Sequence, residues 1–140
     1  MPTKSNTVGY SATPLARKLG IAEGLRVATI NAPDDYAELI APRPPGVFLE
    51  KKVSGATDIV HIFSTQRAEL KNHLDSLRHS VKSSCAIWVS WPKKASKVST
   101  DITDNTIREL ALPLGLVDIK VCAVSEVWSG LKLVIRKELR

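Results

Sequence analysis

Apolar residues recur along the chain in six short runs of the kind that form β-strands. The first four are rich in aliphatic, β-branched or aromatic residues. Two of these, at residues 58–63 and 86–91, are nearly continuous, as in strands buried on both faces of a sheet. The last two runs alternate in the manner of strands that expose one face to water. The pattern therefore predicts strands at residues 25–30, 47–52, 58–63, 86–91, 117–123 and 131–136.

Between these runs the apolar spacing becomes helical. One stripe predicts a long helix that ends near residue 81, and it comprises Leu70, Leu74, Leu77 and Val81. Ser64 or Thr65 can cap this helix at its start. A second stripe predicts a helix that begins at Thr103 and is closed by Gly115, and it comprises Ile107, Leu110, Ala111 and Leu114. Shorter helices are expected after Pro14 and over residues 34–40.

Strands that alternate with helices and end in a strand pair predict an α/β fold with three layers, α/β/α. The sheet should be mostly parallel, with an antiparallel strand pair at the carboxyl end. We expect an N-terminal segment with a short helix over residues 1–24 and a single α/β domain over residues 25–140. A strand order of 2-1-3-4 would open a ligand crevice between the first and third strands.

Polar residues follow three of the predicted strands at the end where that crevice would open. The candidate ligand-binding residues are Asn31, Asp34, Thr65, Lys93, Lys94, Ser96 and Lys97. Lysine ammonium groups beside helix N-termini favour an anion such as phosphate or carboxylate. The alternative is a surface loop whose lysines are solvated, or held by Asp101 or Asp104, with no ligand.

Residues capable of acid–base or nucleophilic chemistry form no recognised motif. His61 lies between Val60 and Ile62, and we interpret it as a core histidine with one hydrogen-bond partner. The chain has no Ser-His-Asp order and no GxSxG motif, and Cys85 and Cys122 lack metal-ligand spacing. We therefore predict no catalytic residue, no metal and no bound cofactor.

Three tryptophans could stack on nucleic-acid bases. Trp88 and Trp91 are three residues apart in one predicted strand, so their side chains point to opposite faces and form no common platform. We expect Trp88 in the core. Trp128 falls in the predicted loop between the last two strands and is expected to be exposed.

The net charge of the chain restricts the possible classes of function only moderately. The 140 residues carry a net charge of +6, which suits an anionic ligand or nucleic acid. Nucleic acid is the less favoured partner, because the chain contains no helix-turn-helix, RRM or zinc motif. No apolar run approaches ~20 residues, so no membrane contact is expected. The first six residues lack the apolar region of a signal peptide, and we predict a cytoplasmic protein.

The order of elements resembles the Rossmann-like fold of S-adenosylmethionine-dependent methyltransferases. DIV (residues 58–60), LGL (residues 114–116) and GIAEGLRV (residues 20–27) carry this resemblance. It places Glu50 where the family often holds the cofactor ribose. The family also has a glycine-rich loop after the first strand, whereas residues 31–35 here read NAPDD. The resemblance implies a Rossmann-like domain, and the missing glycines predict that S-adenosylmethionine does not bind tightly.

The chain also resembles a family of small, uncharacterised bacterial proteins. The shared blocks are GYS with TPL (residues 9–11 and 13–15), WVSWPKK (residues 88–94), and LPLGL with KVCAV (residues 112–116 and 120–124). Together they cover most of the chain. This resemblance implies a bacterial source and no assigned activity.

Three functions therefore remain open. The first is a degenerate Rossmann-like binding module for a small anionic ligand or a protein partner. A divergent methyltransferase or nucleotide-dependent transferase is the second. The third is a nucleic-acid-binding protein, which only the net charge supports.

Overall fold

The computed structural model describes residues 13–140. Its strands are β1 (Arg26–Ile30), β2 (Phe48–Glu50), β3 (Ile59–Phe63), β4 (Ala86–Pro92), β5 (Leu116–Ala123) and β6 (Trp128–Ile135). Its helices are α1 (Leu15–Lys18), α2 (Tyr36–Leu39), α3 (Arg67–Ser80) and α4 (Asp104–Ala111). Short 3₁₀ turns cover Lys94–Ser96, Leu112–Leu114 and Lys137–Leu139. The first six residues and the GYS block interpreted above lie outside the described residues.

All six strands belong to one sheet with the order β2-β1-β3-β4-β6-β5. The first four strands run parallel to one another, and β6 pairs antiparallel with both β4 and β5. The predicted mostly parallel sheet with an antiparallel strand pair is thus confirmed, and its parallel part has the 2-1-3-4 order on which the expected crevice depended. Successive connections leave β1 and β3 in opposite directions, which is the topological arrangement expected to open a crevice between those strands.

Two apolar clusters cover the two faces of the sheet, which makes the fold a three-layer sandwich. On one face α3 and α4 bury the predicted stripes, with Leu70, Leu74 and Ile107 fully buried. On the other face α1 and α2 pack with Trp88 and neighbouring residues. The Trp88 indole N–H donates to the carbonyl of Leu19 (3.0 Å), which ties α1 to the sheet.

The start of α3 differs from the prediction. Gln66 occupies the N-cap position and makes no capping bond with its side chain, and neither Ser64 nor Thr65 caps the helix. Instead the carboxylate of Asp101 accepts a hydrogen bond from the backbone N–H of Arg67 (2.7 Å). A residue 34 positions further on can replace the local cap because the loop after β4 returns to this edge of the sheet.

The turn between β5 and β6 is shorter than predicted, so Trp128 belongs to a strand. The Ser125 hydroxyl accepts hydrogen bonds from the N–H groups of Val127 and Trp128 (both 3.2 Å) and closes the turn early. Trp128 is half-buried, and its ring meets the ring of Phe63 edge-on at 5.1 Å. The prediction of an exposed Trp128 was therefore wrong, because a buried aromatic neighbour covers it.

Among the described residues, no helix combines the length and the apolar character that crossing a membrane requires.

Candidate functional site

The carboxyl ends of β1, β3 and β4 lie at one edge of the sheet because these strands are parallel. Asn31, Ser64 and Lys93 are the residues that directly follow these three ends. The polar residues picked out in the sequence are therefore delivered to the same edge. Side-chain contacts and cavities then determine which of them lie together.

The segment between β4 and α4, residues 93–102, is here called the lysine loop. Its conformation is fixed from within by Ser96, whose hydroxyl donates to the carbonyl of Lys93 (2.6 Å) and accepts from the N–H of Val98 (3.2 Å). Lys97 takes a left-handed backbone conformation with φ of 61°. The Ser96 hydroxyl is thus engaged in hydrogen bonds within the loop itself, whereas Lys94 and Lys97 are exposed.

Both ends of the lysine loop are anchored to neighbouring elements. At its start the N–H of Lys93 donates to the carbonyl of Val127 (2.7 Å). At its end the Thr100 hydroxyl and the Asp101 N–H both donate to the carbonyl of Thr65, at 2.7 and 3.3 Å. Thr65 therefore positions the loop through its backbone.

The acidic residues near the lysines are engaged with other groups. Asp101 accepts from the first N–H of α3, as described above. Asp104 forms an ion pair with Arg108 (3.2 Å) and also accepts from the N–H of Asn105 (2.9 Å). Of the ion pairs within residues 13–140, none includes Lys94 or Lys97. The positive charge of these two lysines is not neutralised locally.

A cavity of about 720 Å³ lies between the lysine loop and the first turn of α4. We call it the lysine pocket, and it is lined by Trp91, Pro92, Lys93, Lys94, Lys97, Val98, Ser99, Thr100, Ile102, Thr103, Asp104 and Asn105. Pro92 and Ile102 are buried and Trp91 is half-buried, so they form an apolar floor. Of the three lysines that line the cavity, Lys94 and Lys97 are exposed. Cavities of this size are common among small-molecule sites.

The seven predicted site residues do not all lie at the same cavity in the structure. Lys93, Lys94 and Lys97 line the lysine pocket, and Ser96 lies in the same loop without lining it. Thr65 lines a neighbouring cavity of about 420 Å³ with Gln66, Ser99, Thr100 and Asp101. Asn31 is exposed and lines neither cavity, and Asp34 belongs to a third cavity beside β2. The crevice between β1 and β3 is therefore not where the lysines gather.

That third cavity, of about 250 Å³, contains an unusual carboxylate. Glu50 accepts from the guanidinium Nε of Arg26 (2.9 Å) through Oε2. Its Oε1 is buried and has no hydrogen-bond partner among the described residues. The cavity also includes Thr29, Pro33 and Tyr36. An unpaired buried acceptor favours a ligand that brings a hydroxyl or amine donor.

A buried polar chain crosses the opposite face of the sheet from α3 and α4. The Tyr36 hydroxyl is 2.8 Å from His61 Nδ1, and His61 Nε2 is 2.6 Å from the Ser90 hydroxyl. His61 thus has two partners, and the expectation of a single one was wrong. Burial lowers the pKa of His61 to about 3 and raises the pKa of the Tyr36 phenol. His61 and Ser90 are fully buried, and the three side chains link α2 to the sheet.

Sequence reasoning missed the apolar half of the lysine pocket. Val98 is 43% exposed although it is apolar, and it stands within a polar loop. That isolated apolar residue was the available signal. Trp91 was recognised only as pointing away from Trp88, which the structure confirms, since the two pack in different clusters. Across residues 13–140, no group of three His, Cys, Asp or Glu side chains could hold a metal ion.

Comparison with known proteins places the fold among Rossmann-like methyltransferases. A putative type 11 methyltransferase from Sulfolobus solfataricus matches with a TM-score of 0.61 and 9% identity, over 88% of this chain and 90% of that one. A tRNA methyltransferase from B. subtilis matches with a TM-score of 0.60 and 11% identity, over 90% and 67%. A S-adenosylmethionine-dependent methyltransferase from Aquifex aeolicus matches with a TM-score of 0.56 and 12% identity, over 86% and 87%.

No protein-family model matches the chain, and no curated protein does. At 9–12% identity the structural likeness establishes the architecture alone. The chain therefore has a Rossmann-like, methyltransferase-type α/β fold.

Proposed function

We propose that this chain is a Rossmann-like binding module for a small anionic ligand, held in the lysine pocket. The observation that carries the proposal is one cavity lined by Lys93, Lys94 and Lys97 above an apolar floor. The nearby carboxylates of Asp101 and Asp104 are engaged by α3 and Arg108. Positive charge in a concave site raises the local concentration of anions.

The proposal is tested by thermal unfolding in the presence of inorganic tripolyphosphate at constant ionic strength. Binding to the folded state alone stabilises it by mass action, by about 2.7 kcal/mol at 100 times the Kd. For a chain of this length that corresponds to a rise in Tm of roughly 5–10 °C. The double variant Lys93→Ala/Lys94→Ala should lose this rise.

A matched control is available in the adjacent exposed pair Lys51 and Lys52, which lies outside the lysine pocket. Lys51→Ala/Lys52→Ala removes the same charge and should keep the tripolyphosphate response. The Lys51→Ala/Lys52→Ala variant should change stability in the absence of ligand by about 1 kcal/mol or less, because exposed charges contribute little. If both double variants lost the tripolyphosphate response equally, or if both kept it, the result would count against the lysine pocket as the binding site.

A divergent S-adenosylmethionine-dependent methyltransferase is the second candidate, and the unpaired Oε1 of Glu50 favours it. The fold of the methyltransferases named above supports it as well. Against it, the cavity of about 250 Å³ falls below the ~300–1,000 Å³ of typical ligand pockets. Residues 31–35 contain no glycine, and Pro33 has no N–H to donate. Calorimetry should therefore detect no tight S-adenosylmethionine binding, and a micromolar Kd would favour the methyltransferase.

A further inference from the structure

The ligand of the lysine pocket must match more than positive charge. Trp91 lines the pocket and also packs against the apolar cluster beneath α3 and α4. Its indole is therefore held in place by the core on one side while it borders the cavity on the other. An aromatic side chain fixed before binding loses little conformational entropy when a planar group stacks on it.

Val98 lies in the same cavity and leaves 43% of its surface exposed. An inorganic anion would gain nothing from Trp91, Ile102 or Val98, since apolar surface does not stabilise a phosphate. The apolar residues and the lysines of this cavity together suit a ligand with a planar apolar part and a charged part. This combination is the chemistry of a nucleotide, whose base stacks while its phosphates meet the lysines.

Further polar residues that line the same cavity suit the sugar of such a ligand. Asn105 accepts from Arg108 through its side-chain carbonyl (3.0 Å), which leaves the amide N–H groups of its side chain as donors. Thr103 also lines the cavity, and its hydroxyl caps α4 by accepting from the N–H of Thr106 (3.3 Å). A volume of about 720 Å³ accommodates base, sugar and phosphates together.

We propose that the ligand of the lysine pocket is a free nucleotide, with its base on Trp91 and its phosphates on Lys93, Lys94 and Lys97. This inference rests on the proposed anion-binding function. It goes further by assigning a stacking role to Trp91, and it is independent of the cavity beside Glu50.

The test compares ATP, inorganic tripolyphosphate and adenosine as ligands in calorimetry without added metal. ATP should bind at least about fivefold more tightly than tripolyphosphate, because stacking on an aromatic side chain contributes ~1–3 kcal/mol per base. Adenosine, which has the base without the phosphates, should bind most weakly. Trp91→Leu keeps an apolar residue against the core and should reduce the preference for ATP to about twofold, with tripolyphosphate binding unchanged.

Trp128→Leu is the matched control, because Trp128 is half-buried and lies outside the lysine pocket. This variant should keep the full preference for ATP. Equal affinity for ATP and tripolyphosphate in the parent protein would overturn the nucleotide proposal and leave the anion-binding function standing. Absence of binding by all three probes would overturn both. A single-stranded oligonucleotide that binds when ATP does not would point to nucleic acid and also overturn it.

Discussion

Two residues other than glycine have left-handed backbone in the part of the chain that the structure describes. They are Asn31, with φ of 58°, and Lys97, with φ of 61°. Asparagine tolerates this region well, whereas for lysine it costs roughly 1–2 kcal/mol. The bonds that Ser96 makes on either side of Lys97 hold the lysine loop in a conformation that lysine does not prefer. Strain of this kind is characteristic of functional loops.

Replacing Lys97 separates backbone strain from charge. Lys97→Gly should leave the free energy of unfolding unchanged or raise it by up to ~1 kcal/mol, since glycine adopts positive φ without strain. Lys97→Val should lower it by about 1 kcal/mol or more, because a β-branched side chain fits this conformation poorly. Urea unfolding of both variants measures the difference. A glycine variant less stable than the valine variant would contradict the strain.

His61 makes stability depend on pH in a window that carboxylates do not share. Its pKa falls from an ordinary value of 6.5 to about 3 in the folded protein, because burial disfavours the charged imidazolium. The unfolded chain therefore binds more protons below pH 6.5, so stability is full above that pH and is lost as the pH falls. Between about pH 7.5 and about pH 5 the free energy of unfolding should drop by about 2 kcal/mol.

Urea unfolding at several pH values measures this slope, and His61→Gln provides the comparison. The glutamine cannot take up a proton, so its stability should be nearly flat over the same pH range, whatever its absolute value. A parent protein with no slope between these pH values would contradict the buried neutral histidine.

At the scale of elements, α3 depends on a cap supplied from the lysine loop. The Asp101 carboxylate replaces the local cap that neither Ser64 nor Thr65 provides. Asp101→Ala should destabilise the fold by about 1 kcal/mol, the usual effect of removing an N-terminal cap. Asp101→Asn retains an acceptor oxygen and should lose less than half as much. Thermal unfolding of both variants would contradict this account if alanine and asparagine were equivalent.

Within the elements, local sequence patterns correctly predicted the features that depend on residues close together in the chain. Thr103 was predicted to begin α4, and it forms a capping box with Thr106 in which each side chain bonds to the other residue's backbone. Gly115 was predicted to end the same region, and it has φ of 80°. Asp101 and Ser125 escaped prediction for different reasons. The first acts on a residue 34 positions away, and the second closes a turn that apolar alternation does not mark.

At the scale of the whole molecule, the mostly parallel sheet and its antiparallel strand pair followed from the sequence because buried strands and amphipathic helices allow few arrangements. The candidate site could be predicted from the sequence only in part. The sequence placed seven polar residues at one edge, but it could not show that Asn31 and Asp34 border different surroundings from the lysines. Side-chain distances across an edge depend on loop paths, and the lysine loop turns toward α4 rather than toward β1.

The anchoring of the lysine loop explains why its lysines line a single cavity. Its start is bonded to the turn before β6 and its end to Thr65, so Lys94 and Lys97 project from a segment fixed at both ends. Its Asp101 caps α3, and none of the ion pairs within residues 13–140 includes Lys94 or Lys97. Fold stability and candidate binding are thus coupled through the same ten residues.

The most direct test of the anion-binding account is a residue-resolved titration with tripolyphosphate followed by the amide signals of ¹⁵N-labelled protein. The account predicts saturable shifts in residues 94–98 and 103–105, which surround the lysine pocket. Residues 31–35 and Glu50, which belong to the crevice beside β1 and the cavity beside β2, should remain unchanged. Shifts centred on those residues, or shifts that never saturate, would contradict it.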